Sequence, residues 1–97
     1  MKIIWSPLSI ERINEIADFI SEDSLEAARR WVDDLFNKVE RIEKFPYSGR
    51  LVPEIGRKDI REILFGNYRI IYRTLQTEIA ILTVRHSKQR LPEDDFQ

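Results

Sequence analysis

Apolar residues along this chain follow one period in its first half and another in its second. Ile10, Ile13, Ile16, Ala17 and Ile20 recur at three- and four-residue steps with Glu11, Arg12, Glu15 and Asp18 between them. Ala28, Trp31, Val32, Leu35, Val39 and Ile42 repeat the spacing. Each set makes one apolar stripe on an amphipathic helix. Ser6-Pro7 opens the first, with Ser suited to cap and Pro to the first turn. The "SEDS" stretch separates the two, and Asp23 with Glu26 three residues later has capping-box character for the second. That helix runs to about Lys44, before Phe45-Pro46 ends it. So short a connection predicts an antiparallel helix hairpin.

The flanking segments read differently. "KIIW", Lys2 to Trp5, is β-branched and aromatic, and predicts a strand. "PYSGRLVPEIGRK", Pro46 to Lys58, holds two of the four prolines and two of the three glycines, and predicts an ordered loop. Three strand-like runs follow at Asp59 to Phe65, Asn67 to Thr74 and Glu78 to His86. Gly66-Asn67 and the Gln76-Thr77 region supply hairpin turns, so these strands are expected to run antiparallel. The order β-α-α-β-β-β defines one α+β domain over residues 1–90, with a polar tail at 91–97. The helix hairpin is expected to cover one face of a mainly antiparallel sheet and to leave the other exposed.

Composition narrows the chemistry. The 97 residues suffice for one compact domain. There is no cysteine and a single histidine, which removes thiol chemistry and leaves no basis for a zinc site, so neither metal nor cofactor is expected. No apolar run approaches the roughly 20 residues of a membrane span, and the N-terminus lacks a signal-peptide pattern, so a cytoplasmic location without membrane contact is expected. The net charge of −1 conceals an asymmetry: Arg50 to Arg90 holds nine basic residues against Glu54, Asp59, Glu62 and Glu78, a local +5.

Within that segment "NYRIIYR" places Tyr68, Ile70 and Tyr72 on one side of a strand and Arg69, Ile71 and Arg73 on the other. Arg61, Arg69, Arg73 and Arg85 all lie on predicted strands, where antiparallel pairing could gather some of them into a basic patch for phosphates or carboxylates. The alternative is a solvated face with local pairs to Glu62 and Glu78. His86, at the end of the last strand, is suited to proton transfer or to a structural role. Glu54, in a loop bounded by Pro and Gly, is a candidate general base. Tyr68 and Tyr72 suit either base stacking or sheet core. Trp5 and Trp31 read as packing residues. Gly49 and Gly56 lack the strand-loop-helix context of a phosphate loop and read as turn residues.

Taken together, the strand ending in Trp5, the helix hairpin, "FPYSGR", "PE", "IRE", "YRIIYR" and "VRH" resemble, in that order, the RelE/ParE superfamily of type II toxin–antitoxin toxins. The "VRHSKQR" ending, with no tyrosine after Tyr72, is closer to the ParE-like branch. This resemblance implies a toxin that poisons DNA gyrase and is silenced by a cognate antitoxin, touching operator DNA only through that antitoxin. The other branch implies a ribosome-dependent endonuclease acting on mRNA, in which Glu54, Arg61, Arg69 and His86 would form the catalytic set. A third reading is a non-toxic member that keeps antitoxin binding. Arg61, Glu62, Tyr68, Arg69 and Tyr72 carry over from the family motifs. With Arg73, Arg85, His86 and Arg90 they form the expected interface for target or antitoxin, and Arg69→Ala is expected to weaken toxicity without unfolding the chain.

Overall fold

The computed structural model of the protein describes residues 1–88; Arg90 and the expected tail at 91–97 lie outside the described residues. The elements are β1 (Lys2–Trp5), α1 (Pro7–Ser21), α2 (Leu25–Lys44), β2 (Arg50–Leu51), β3 (Ile60–Phe65), β4 (Tyr68–Thr74) and β5 (Glu78–His86). They build a five-stranded sheet in the order β1-β5-β4-β3-β2. β1 runs parallel to β5, and every other pairing is antiparallel. The two-residue β2 was expected to be loop.

Capping explains the helix starts. Ser6 caps α1 by accepting a bond from the Ser9 amide, with Pro7 in the first turn. α2 begins one residue later than the Asp23–Glu26 spacing suggests, because Ser24 is its cap and accepts from the Ala27 amide at 3.1 Å. Gly66 stands at φ 57° as the first central residue of the β3–β4 turn, while Asn67 keeps a negative φ, the sign pattern of a type II′ turn.

The core lies between the hairpin and the sheet. Ile13 of α1 and Leu35, Val39 and Ile42 of α2 pack on Ile70, Tyr72, Ile79, Ile81 and Val84. Ile10 departs from the expected stripe and is 49% exposed. The opposite face is not open as expected. Val52 and Ile55, from the loop after β2, cover Ile60, Ile71 and Leu82 in a second, smaller core.

A bulge in β5 decides which side chains reach each face. Ile71 pairs with Thr83 but Tyr72 with Ile81, so Leu82 is the extra residue. Without it Ile79, Ile81, Thr83 and Arg85 would share a face. With it Ile79 and Ile81 are followed on the helix face by Val84 and His86, and Arg85 is placed opposite Arg69 on the other face. The Ser6 hydroxyl donates to the Leu82 carbonyl at 2.9 Å, tying the α1 cap to the bulge.

Candidate functional site

Arg69 is at the centre of the loop-covered face, and it is not a surface cation. Its Nε and Nη2 donate to Glu62 at 2.7 Å each, while Nη1 and Nη2 donate to Glu54 at 2.8 and 2.9 Å. The side chains of Arg69, Glu62 and Glu54 are 5%, 0% and 22% exposed. These charge-assisted forks hold the Arg69 guanidinium protonated, its pKa raised first by the bonds to Glu54 and then by those to Glu62. They also fasten the "VPEIG" loop to the sheet. Arg50 reaches Glu62 as well, at 3.5 Å.

Two more cations of the +5 segment are paired in the same manner. Arg57 and Arg73 both bond Asp59, at 2.8 and 3.0 Å. The Arg57 bond is the main cause holding the Asp59 carboxyl below its ordinary range, with Arg73 adding to it. Arg61 lies on the helix face, donating to the Gly49 carbonyl at 2.9 Å, with its guanidinium 5.4 Å from the Tyr47 ring centre. Strand pairing sorts the four arginines: Arg69, Arg73 and Arg85 share one face, and Arg61 is on the other.

The tyrosines separate into two roles. Tyr72 is fully buried, so it is a core residue and presents no surface to a partner. Its hydroxyl donates to the Pro46 carbonyl at 2.8 Å and accepts from the Gly49 amide at 3.0 Å. Burial pushes its phenol up, which keeps that donor protonated. Glu62, 1% exposed, is likewise no surface residue. Tyr68 is half-buried in a row of rings, edge-on to Trp31 at 5.5 Å and to His86 at 5.7 Å, and Trp31 continues to Phe65. Trp5 packs edge-on against Phe36.

The proposed nuclease set does not converge. Glu54 and Arg69 occupy each other on the loop-covered face. Arg61 and His86 lie on the helix face, opposite Tyr72 and Tyr68 respectively. That is four residues of strand, at least about 13 Å. Among the described residues no cluster of ligating side chains could hold a metal ion, and no helix is long and apolar enough to cross a membrane.

One concave surface was not anticipated from the sequence. A groove of about 460 Å³ runs between the end of α2 and the β2–β3 edge, lined by Lys38, Arg41, Phe45, Arg50, Ile63 and Leu64 among others. Phe45 and Tyr47 of "FPYSGR" are each 64% exposed and Leu64 is 50% exposed. The available signal was the apolar Phe45-Pro46-Tyr47 run just beyond the end of a helix, where a polar loop is the usual expectation.

A strand, a helix hairpin and a mixed sheet carrying internally paired arginines define a small α+β domain. The comparisons give its family. A model of the ParE toxin of the type II toxin–antitoxin system parDE matches residues 3–91, so the chain belongs to the ParE toxin family. "Putative toxin Y4kP" of Sinorhizobium fredii (strain NBRC 101917 / NGR234) is 34% identical over 95 residues, covering 95% of this chain and 94% of that protein. The structure titled "Chromosomal ParDE TA system from P. aeruginosa" superposes with a TM-score of 0.76 at 19% identity, over 91% of this chain and 97% of that one, and shares the fold.

Proposed function

We propose that this chain inhibits growth by acting on DNA gyrase and is held silent by a cognate antitoxin. The observation that carries the reading is the ParE family match over nearly the whole chain. The geometry supports it from a second direction, because Arg69 and Glu54, two members of the alternative nuclease set, are engaged with each other and with Glu62. A general base must reach the proton it removes, and Glu54 instead accepts two bonds from a buried guanidinium. The function is then one of binding, carried by exposed side chains around a rigid sheet.

The test is pulse-labelling of DNA and protein synthesis in bacteria in the first minutes after induction. Under this reading DNA synthesis fails first, and co-expression of the neighbouring gene's product restores growth. Protein synthesis failing first would replace the gyrase reading with action on the ribosome and mRNA. If neither falls, the fold is retained without toxicity.

A further inference from the structure

A second concave surface lies on the helix side of the sheet, between α1 and the strand ends at Tyr68 and His86. It measures about 370 Å³ and is lined by Arg12, Glu15, Ile16 and Phe19 of α1 and by Tyr68 and His86, among others. Its walls are held from behind. The bulge at Leu82 turns Val84 and His86 toward the helices, and the Ser6 hydroxyl ties the start of α1 to that bulge. Tyr68 is braced edge-on between Trp31 and His86. A surface held in this way has little freedom left to lose when a partner settles on it.

Arg12 is half satisfied in this pocket. Its Nη1 donates to both carboxylate oxygens of Glu15, at 3.0 and 3.2 Å. Its Nε–H is enclosed without an acceptor, and its Nη2 makes no bond among the described residues. The side chain is 27% exposed, so the outer end of the guanidinium is within reach of a partner. Arg69 shows the completed arrangement in the same chain, with Glu62 on one edge of the guanidinium and Glu54 on another. His86 adds a donor. Its Nδ1 accepts from the Lys88 amide at 3.2 Å, which places the proton of the neutral ring on Nε2. That N–H makes no bond among the described residues.

The charge and the rim of the pocket define what fits. Arg12 and Arg85 set two cations against the Glu15 carboxylate, so one further carboxylate is attracted and a run of them meets Glu15. Phe19, 67% exposed, extends the apolar surface of Ile16 out to solvent. An arginine beside an exposed aromatic on a rigid wall is the composition of a protein-contact anchor. We propose that this pocket is where the chain grips DNA gyrase, and that it takes one carboxylate flanked by an apolar side chain. The carboxylate bonds Arg12 Nη2 and the His86 Nε2–H, and its apolar neighbour covers Phe19 and Ile16. The assignment rests on the gyrase reading above.

The experiment titrates the purified chain into a supercoiling reaction of purified DNA gyrase, and measures its binding to gyrase and to duplex DNA separately. Arg12→Glu is expected to raise the half-inhibiting concentration at least about tenfold and to flatten its salt dependence. Arg12→Lys keeps the charge without the planar fork and is expected to raise it about threefold. Phe19→Ser is expected to raise it about tenfold with the salt dependence kept. Arg30→Glu, on an exposed part of α2 outside the pocket, is expected to inhibit as the unsubstituted chain does. Thermal unfolding checks that each variant is folded, and Phe19→Ser, at an exposed position, decides the matter if Arg12→Glu is not. If the unsubstituted chain inhibits and the folded pocket variants inhibit equally well, the pocket is wrong and the gyrase reading survives. If the chain binds duplex DNA alone and Arg12→Glu abolishes that binding, the ligand is a phosphate and the carboxylate is overturned. If the unsubstituted chain neither binds nor inhibits gyrase, the gyrase reading fails and the pocket assignment fails with it.

Discussion

Replacing Arg69 by alanine should unfold a large part of this protein's stability margin. The side chain is 5% exposed and makes four charge-assisted bonds to Glu62 and Glu54. Removing it leaves the Glu62 carboxylate, 0% exposed, with the long contact to Arg50 at 3.5 Å as its one ion pair among the described residues. Glu54, 22% exposed, can turn to water, so most of the cost falls on Glu62. Breaking a buried pair from one side costs about 3–5 kcal/mol, against a total of about 5–15 kcal/mol for a domain. At about 4–8 °C per kcal/mol for this size the melting temperature should fall by more than about 12 °C. Urea unfolding followed by the fluorescence of Trp5 and Trp31 measures the change. Because the cost comes from the stranded charge, Glu62→Leu/Arg69→Met should recover most of it. A loss below about 1 kcal/mol for Arg69→Ala, or a double variant no more stable than the single one, would refute the reasoning. Arg69→Ala is therefore expected to lower the stability of the fold, and lost toxicity in that variant is assigned to a target contact only where the unfolding curve shows the chain still folded.

Two further outcomes follow from the same geometry. A Cβ at Gly49 would lie 2.5 Å from the Tyr72 hydroxyl and 2.7 Å from the Glu62 carbonyl oxygen, so Gly49→Ala should destabilise by about 1–3 kcal/mol and weaken both bonds made by that hydroxyl, read by urea unfolding. Asp59, held below its ordinary value of 3.8, contributes stability that is complete above that pH and is lost as pH falls through its lower folded value. Asp59→Asn should then be less stable than the unsubstituted chain at pH 7, with the gap narrowing below about pH 4 in thermal unfolding measured across that range.

The contrast between what was legible and what was not follows the range of the interactions. Ser6-Pro7, the Phe45-Pro46 stop and the Gly66-Asn67 turn act within a few residues, and the helices and hairpins appear where these signals place them. Even the Arg69–Glu62 pair had a readable cue. A two-residue turn at Gly66-Asn67 sets Phe65 opposite Tyr68 and Leu64 opposite Arg69, which puts Glu62 diagonal to Arg69 on the same face. Glu54 had no such cue, since its approach depends on how the "VPEIG" loop folds back across the sheet.

The sequence by itself determined the element order, the α+β class, the turn positions and the family resemblance, because periodicity, capping and turn chemistry are local. Only the tertiary structure decided which arginines face outward. The extra residue Leu82 reverses the alternation of β5, sending His86 to Tyr68 and Arg85 to the face of Arg69. Val52 and Ile55 close a face that alternation alone leaves open. A cation on a strand is indistinguishable in sequence from one held between two carboxylates, since burial and pairing depend on segments distant in the chain meeting at contact distance.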